Sequence, residues 1–430
     1  MELVRTASAY PGVLTGRSVR ELRLYALVCL LFFVLGLSIP KLSIALFLAL
    51  AFTLKGEKQI LDRDTVQLIL FLALWNAIAL LRGEQTLDFK FFAQGIFLFV
   101  VAYAAGFHFP FKKLPAWPMN ALVVFVAFSL GLLAFSALSL NTLFQEGDIE
   151  QVILNRSVRN YWIDDPNSDS YTMGVAMVGM FTNLVIGLLP MVLYRKLMEW
   201  DRKQMRNLGA LLAVAGTLAI MLDVILSNRT PFILLAVELG GVVFYLSKTD
   251  KIGTILKPLI VFGVIGSGAF AYLIATSGIV ELLAGLMTRF GEGGLGSVRY
   301  DMWLYGLSNA LSYPFGGLTV PPEFGLTSFH NLWLDVVRLG GILPLFPLVA
   351  FQVRHVKYFR DAIRNLALPK SLRVAILCIG IAIAFAYMGE PLIQGPPVYF
   401  AFTFFFLGVV RRLSSATANA AEASPVDAGS

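Results

Sequence analysis

The sequence contains few charged residues and few cysteines, and each shortage excludes a class of protein. Charged residues make up only 14% of the 430 positions, whereas hydrophobic residues make up 57%. This balance lies far from that of a soluble globular chain and predicts a membrane protein with many spans. The two cysteines, Cys29 and Cys378, both lie within apolar runs, which excludes a disulfide framework and a cysteine-based zinc site.

Positive charge exceeds negative charge, and the formal net charge is +7. Such an excess can indicate a nucleic-acid partner, but here the basic residues flank apolar runs, which is the ordinary signal of membrane topology. We therefore expect the lipid bilayer, and no nucleic acid, as a partner. Three arginines, Arg17, Arg20 and Arg23, precede the first apolar run without a small-residue cleavage site, so we interpret that run as an anchor.

Twelve apolar segments are candidates to cross the membrane, which requires a helix of about 20 residues. They lie near residues 24 to 39, 42 to 54, 66 to 82, 89 to 107, 119 to 138, 173 to 194, 208 to 226, 231 to 247, 255 to 276, 332 to 353, 372 to 389 and 395 to 410. We expect the first two, which are parted by a proline, to form a tight hairpin. The sequence thus predicts an all-α polytopic membrane protein with about 12 transmembrane helices in one domain, residues 24–413.

Lysine and arginine are concentrated on one side of this predicted bundle. If the N-terminal segment 1–23 is cytoplasmic, most of them fall in cytoplasmic pieces, as the positive-inside rule requires. The segment 414–430 is then also cytoplasmic, and its small polar residues predict disorder. Two longer segments, 139–172 and 277–331, lie outside, and the second contains a predicted amphipathic helix at 298–311. Because long loops often carry binding residues, we expect the function to face outward.

Two external arginines lie at predicted helix starts. Arg229 belongs to a Ser-Asn-Arg-Thr-Pro turn in which Pro231 suits a first helical turn, and Arg299 begins the predicted amphipathic helix. A helix start disfavours cations, so two cations at such places suggest that an anion binds between them. The alternative is that Asp223 or Asp301 is the partner. We interpret the external Lys41, Arg82 and Arg289 as solvated loop residues.

Histidine is scarce, and His330 is the one histidine predicted to face outward. It precedes Asn331, a candidate N-cap for the tenth span, and the helix start favours a neutral imidazole that could act as a general base. The alternative is a histidine that only forms hydrogen bonds at a helix entrance. Asp335 and Arg338 are three residues apart and can pair, either lining a cavity or forming a structural clasp.

The external segment 139–172 contains a basic stretch with aromatic residues, from Asn155 to Trp162. Aromatic rings beside polar groups suit a sugar-binding surface, but Tyr161 and Trp162 could equally form part of an interfacial belt. Asp164 and Asp165 could hold a divalent cation with pyrophosphate, although the sequence offers no further ligands nearby.

Several segments of the second half of the chain together resemble a known family. The pattern is an arginine helix with a tryptophan, a Pro-x-Gly-Gly turn, a His-Asn pair at a span start and a glycine pair within the span, found at residues 297–303, 313–318, 329–335 and 339–342. This combination resembles the signature of the O-antigen ligase and O-antigen polymerase superfamily, and the Ser-Asn-Arg-Thr turn at Arg229 resembles the Ser-x-Ser-Arg turn of that family. Phe315 replaces the usual leucine, and the interval from Arg299 to His330 is shorter than in lipid A-core ligases, which leaves ligase and polymerase as alternatives.

The resemblance implies a membrane glycosyltransferase on the periplasmic side of a bacterial inner membrane, active in surface polysaccharide or lipopolysaccharide biosynthesis. Its donor would be a glycan on undecaprenyl diphosphate, and its acceptor would be lipid A-core or a growing glycan chain. Arg299 and Arg229 match the arginines that bind the donor diphosphate, and His330 matches the candidate catalytic base. The implied reaction inverts the anomeric carbon and needs no metal or cofactor.

Four further cations are candidate helpers of the same reaction: Arg156, Arg159, Lys90 and Arg338.

Two other classes of protein compete with this interpretation. A lipid-linked sugar flippase or another polytopic transporter would also have many spans and buried charges, but such proteins often consist of two matching halves, which this sequence lacks. A scaffold for envelope assembly would leave His330 without a role.

Overall fold

The structure is a computed structural model, which describes part of the chain. The described residues are 19–50, 61–83, 89–108, 119–146, 157–165, 167, 171–189, 202–226, 228–248, 298–389 and 397–414.

Helices account for most of these residues. In chain order they are α1 (Val19–Gly36), α2 (Leu42–Ala49), α3 (Arg63–Leu81), α4 (Phe89–His108), α5 (Met119–Glu146), α6 (Val175–Ile186), α7 (Arg202–Ile225), α8 (Thr230–Ser247), α9 (Val298–Asn309), α10 (Leu332–Gly340), α11 (Leu345–Arg364), α12 (Lys370–Gly389) and α13 (Pro397–Ser414). Short 3-10 turns lie at Ala310–Ser312 and Pro322–Phe324. Strands β1 (Ser157–Arg159) and β2 (Thr172–Gly174) form an antiparallel hairpin with Val158 opposite Met173.

Six of the described helices are long and apolar enough to cross a membrane, namely α3, α7, α8, α12, α13 and the Ala121–Thr142 part of α5. Shorter apolar helical stretches lie at Ala26–Gly36, Phe97–His108 and Met177–Ile186. The expected all-α fold with apolar spans is therefore confirmed in this coarse form. The number twelve stays a prediction, since the ninth predicted span, 255–276, lies outside the described residues.

Glycines let two pairs of helices approach closely. A Cβ at Gly36 of α1 would collide with the Phe128 carbonyl oxygen of α5, and a Cβ at Gly106 of α4 would collide with the Phe405 carbonyl oxygen of α13. Small residues at such crossings permit backbone contact between apolar helices, which gain little from hydrophobic burial when lipid surrounds them. These crossings explain why glycine occurs inside otherwise apolar runs.

Helix ends predicted to lie on one side of the membrane contact each other. At the start of α3, Asp62 accepts a hydrogen bond from Arg411 at the end of α13, both predicted to be cytoplasmic. Beyond the other end of α3, the Arg82 guanidinium donates to the Gly316 carbonyl oxygen (3.0 Å), and both are predicted to lie outside. The packing is consistent with the predicted order of spans, and the orientation relative to the cytoplasm stays a prediction.

The structure differs from the sequence-based expectation at the tenth span, because residues 332–353 do not form one helix. α10 ends at Gly340, and α11 begins at Leu345. Gly341 between them has a φ of 75°, which a residue with a side chain rarely adopts, and Pro344 follows. Glycine and proline thus divide the segment.

The boundaries of the predicted external segment 139–172 also change. α5 continues to Glu146, so the segment begins later than expected, and it ends in the β1–β2 hairpin. Of the predicted terminal segments, residues 1–18 and 415–430 lie outside the described residues.

Candidate functional site

Residues 298–341 form a small unit on one end of the helix bundle, which we call the outer unit. It has its own apolar core, formed by Met302, Leu318, Phe329, Leu334 and Val337. These side chains come from α9, from the turn after it, from the approach to α10 and from α10 itself. The structure therefore brings together the segments whose pattern resembles the O-antigen ligase and polymerase signature.

The glycine turn and the glycine pair of this unit pack backbone against backbone. The Gly317 N–H donates to the Arg338 carbonyl oxygen (2.8 Å), and the Ile342 N–H donates to the Pro314 carbonyl oxygen (3.1 Å). A Cβ at Gly341 would collide with the Pro314 carbonyl oxygen. Glycine is required here both for its positive φ and for this close approach.

His330 lies directly before α10 in an uncommon backbone conformation, with a φ of 49°. Its two neighbours are held by one carboxylate, since Asp335 accepts hydrogen bonds from the Phe329 N–H (2.8 Å) and the Asn331 N–H (3.3 Å). Asn331 is the N-cap of α10, as predicted, and its side chain accepts from the Leu334 N–H (3.3 Å). A positive φ at a residue other than glycine costs roughly 1–3 kcal/mol, so the surrounding bonds must impose it.

Arg299 lies in the first turn of α9, half-buried. Its Nη1 donates to the Gly389 carbonyl oxygen at the end of α12 (2.8 Å). One turn later on α9, the Trp303 indole N–H donates to the Phe329 carbonyl oxygen (2.7 Å), next to His330. The structure thus places Arg299 and His330 in one unit, joined through α9 and the entrance of α10.

A second tryptophan ties the entrance of α10 to the same end of α12. The Trp333 ring meets the Tyr387 ring edge to face, with centroids 6.4 Å apart, and Tyr387 lies two residues before Gly389, which binds Arg299.

Arg338 and Arg82 also lie in or against the outer unit. The Arg338 Nε is 3.6 Å from Asp335 Oδ1, so the predicted pair is present, although its geometry is that of a loose ion pair. Arg82 is exposed, as expected of a solvated loop residue, and its guanidinium in addition bonds the Gly316 carbonyl oxygen and lies against Gly317. The signal that could have identified Arg82 is its position on the side where the topology rule disfavours cations.

Arg229 lies at another place on the same end of the bundle. It is half-buried at the N-cap position of α8, Pro231 occupies the first turn as predicted, and the Arg229 carbonyl oxygen accepts from the Phe232 N–H (3.1 Å). Asp223, considered as its partner, instead accepts hydrogen bonds from the side chains of Thr182 and Asn228, both 3.2 Å.

The hairpin cations are less closely connected with the outer unit. Arg159 pairs with Asp164 (2.9 Å), and its guanidinium lies 5.3 Å from the centre of the Tyr171 ring, so these contacts hold it within the hairpin. Arg156 lies outside the described residues, and so does the side chain of Lys90.

The aromatic residues of the hairpin have different roles. The Trp162 indole N–H donates to the Leu37 carbonyl oxygen (2.8 Å), and its ring packs against the core, whereas Tyr161 is exposed. Trp162 therefore anchors the hairpin to α1. Among the described residues, no group of three or more His, Cys, Asp or Glu side chains could hold a metal ion.

The electrostatic character of the outer unit follows from these bonds. Arg299 and Arg82 donate to neutral carbonyl oxygens, and within the described part of the chain neither forms an ion pair. A carbonyl oxygen orients a guanidinium without cancelling its charge, so both arginines retain the capacity to bind an anion.

No protein-family model and no curated protein matches this chain.

Proposed function

We propose that the protein is a membrane glycosyltransferase of the O-antigen ligase or polymerase type. It transfers a glycan from undecaprenyl diphosphate to a hydroxyl of lipid A-core or of a growing glycan chain, on the periplasmic side of a bacterial inner membrane. The observation that carries the proposal is the outer unit itself, in which three motif segments share one core, the fourth packs its backbone against the glycine turn, and Arg299 and His330 belong to the same unit.

In the proposed reaction the acceptor hydroxyl attacks the anomeric carbon of the donor sugar. His330 takes the hydroxyl proton as the new carbon–oxygen bond forms, and the bond to the diphosphate oxygen breaks on the opposite face, which inverts the configuration. The negative charge that develops on undecaprenyl diphosphate is stabilised by Arg299, with Arg229 as its partner in donor binding. The diphosphate is already a good leaving group, so the reaction requires no metal.

The backbone at His330 supports this role. A base must be held in one position, and Asp335 fixes the residues on both sides of His330 by accepting their N–H groups. A positive φ maintained in this way is typical of positions where function imposes strain. Asp335 is thus a positioning residue, and Arg338, 3.6 Å from it, maintains its charge balance.

The experiment that tests the proposal combines product formation with donor binding. Purified full-length protein is given a lipid-linked repeat unit, with and without lipid A-core, and the products are separated by length and by attachment to core. Transfer to core identifies a ligase, and chain growth identifies a polymerase. We expect transfer to survive a strong chelator.

The decisive variant is His330→Ala, since a positioned general base contributes roughly 100- to 10,000-fold to turnover. Binding of a fluorescent donor, measured by quenching, should stay close to that of the wild type while product formation falls by this factor. His108→Ala, which changes a histidine at the opposite end of the bundle, is the matched control and should keep full activity. Normal product formation by His330→Ala would show that His330 is only a hydrogen-bonding residue at a helix entrance.

The alternative is a lipid-linked sugar flippase or another transporter. Such a protein moves its substrate across the bilayer without an acceptor and leaves the diphosphate linkage intact. Movement of an intact fluorescent donor across proteoliposomes, with no product in the transfer assay, would replace the proposal with this one.

A further inference from the structure

A single glutamate lies halfway along the membrane-spanning helix α8. Glu238 has a relative exposure of 0%, and within the described part of the chain neither oxygen of its carboxylate has a hydrogen-bond partner. An acidic side chain in the middle of a span is costly and is retained mainly where it has a function.

The end of helix α6 lies against this carboxylate. A Cβ at Gly187, directly after α6, would lie 2.8 Å from Glu238 Oε1 and 3.3 Å from the Asn183 carbonyl oxygen. That carbonyl oxygen already accepts the Gly187 N–H (2.9 Å). Glycine thus leaves room for the Glu238 carboxylate beside the backbone of α6.

Among the described helices that pack against α8, neither α6 nor α12 brings a positive charge to Glu238. Helix α6 carries no titratable residue, and α12 contributes the Cys378 thiol, which is close enough to interact with Glu238 electrostatically. The one arginine of α12, Arg373, lies in its first turn, and its guanidinium carbon is 5.9 Å from the centre of the Tyr245 ring, nearly two turns beyond Glu238 on α8. Within the described part of the chain an ionised carboxylate in this place would face a thiol, backbone and apolar groups, so we expect it to bind a proton or another cation.

A second buried carboxylate lies between Glu238 and the predicted periplasmic end. Asp223 of α7 is fully buried; its Oδ1 accepts from Thr182 and Asn228, and its Oδ2 has no hydrogen-bond partner within the described residues. Thr182 precedes Asn183 on α6, so polar side chains occur at successive depths between α6, α7 and α8.

We propose that Glu238 is a proton-binding site within the membrane, which takes up and releases its proton past Asp223 on the side of α6 and α7. The site is distinct from the outer unit, and the proposal does not depend on glycosyl transfer. A proton is favoured over a metal cation because, among the described residues, Glu238 belongs to no group of three or more His, Cys, Asp or Glu side chains that could hold a metal ion, whereas metal cations prefer several oxygen ligands.

Dicyclohexylcarbodiimide tests this assignment on the full-length protein in lipid nanodiscs. It forms a stable adduct with a protonated carboxyl group in apolar surroundings, and mass spectrometry of peptides locates the adduct. We expect an adduct at Glu238 at neutral pH, with labelling that falls about tenfold per pH unit once the pH is high enough for the acid to ionise. The exposed Glu323 provides an internal control and should label weakly throughout.

The variant Glu238→Gln should remove the adduct at this position, while any adduct at the buried Asp223 and the weak background at exposed carboxyl groups are unchanged. The wild-type pH profile needs no variant, so the test holds even if this substitution prevents folding. Absence of an adduct at Glu238 would overturn the proposal. Labelling that stays constant up to alkaline pH would also overturn it, because the acid would then be permanently protonated. Protection by sodium ions at constant pH would replace the proton with a metal cation.

Discussion

The two polar ends of the helix bundle use arginine in different ways. At the predicted cytoplasmic end, Arg354 and Arg411 both bind the buried carboxylate of Asp64, and Arg411 also binds Asp62. We call these four residues the ion network. At the opposite end, Arg299 of the outer unit and the adjacent Arg82 donate to carbonyl oxygens, whereas Arg338 forms a loose pair with Asp335.

The difference fits a structural role at one end and the proposed binding role at the other. In the ion network, positive and negative charges neutralise each other, and the Tyr358 hydroxyl adds a hydrogen bond to Asp64 (3.1 Å). Such a buried network is sensitive to the loss of any one member, since the remaining charge is left without compensation. At the other end the guanidinium groups of Arg299 and Arg82 are oriented by carbonyl oxygens and keep their charge, which the proposed anionic donor requires.

The prediction with the largest expected effect concerns the orientation of the protein, that is, which end of the helix bundle faces the cytoplasm. In a protein whose Cys29 and Cys378 are replaced by serine, we expect Ser312→Cys to react with a membrane-impermeant thiol reagent added to intact cells. We expect Ala367→Cys to react only after the membrane is opened. Both positions are exposed on the protein surface, so whether the reagent reaches them depends on which side of the membrane they lie. The reverse pattern would exchange the two ends and remove the outer unit from the periplasm.

The second-largest expected effect is a change in the free energy of unfolding. Asp64→Ala leaves Arg354 and Arg411 without their shared carboxylate, and we expect a loss of about 3–5 kcal/mol in the free energy of unfolding. Thermal unfolding in detergent should show this as a lower midpoint, with transfer activity per folded molecule unchanged.

A matched control for Asp64 lies on the same face of the membrane. Asp361 pairs with Arg360 at 3.5 Å, and both side chains are exposed. Asp361→Ala should cost about 0–1 kcal/mol, as is usual for surface pairs. Equal effects of the two substitutions would contradict a special structural role of the ion network.

The effect of Arg299→Ala should be on activity. A charge-assisted contact to diphosphate contributes on the order of 1.5–3 kcal/mol, so we expect kcat/KM to fall at least about tenfold. Arg299→Lys should restore only part of the activity, because lysine lacks the planar guanidinium. Arg360→Ala, at the other end of the bundle, should have no effect. A decrease that only follows the amount of folded protein would assign Arg299 to structure.

The smallest expected effect is the contribution of Asp62 to the pH dependence of the free energy of unfolding. Partial burial raises the pKa of its carboxyl group, but the Thr65 N–H and the Arg411 guanidinium lower it more, so the pKa lies below its ordinary value. The resulting stabilisation is present above the unfolded pKa of about 3.9 and is lost as the pH falls through the folded pKa.

Because Asp62 is partly exposed, this contribution should be about 1 kcal/mol or less. Asp62→Asn should weaken the fall in unfolding midpoint at acid pH. If the Asp62→Asn variant shows the same fall in unfolding midpoint at acid pH as the wild type, other carboxylates cause that fall.

Local features of the candidate site were predictable from the sequence. The helix at Arg299, the N-cap at Asn331 and the i to i+3 pair of Asp335 and Arg338 all depend on neighbours within four residues, and the structure confirms them. The division of the tenth span was signalled by Gly341 but was not predicted, since apolar content alone does not reveal a positive φ.

Contacts between distant segments were not predictable. Arg82 is exposed, as expected of a solvated residue, but nothing in its neighbourhood in the sequence indicates that its guanidinium bonds Gly316, 234 residues away. One acidic residue hardly alters the hydropathy of a span, so the sequence does not single out Glu238. The full burial of Glu238 depends on which faces of α6 and α12 it meets.

The sequence by itself determined that the chain is helical and built for a bilayer, because the cost of burying polar groups in hydrocarbon depends on composition and run length. It also determined local caps and turns, whose hydrogen bonds form between residues close in the chain. Only the tertiary structure decided which arginines meet carboxylates and which meet carbonyl oxygens, because helix packing selects partners by shape across hundreds of residues. That choice distinguishes the ion network, where arginines meet carboxylates, from Arg299 and Arg82, whose charge is not paired within the described residues and which we propose to face the donor diphosphate.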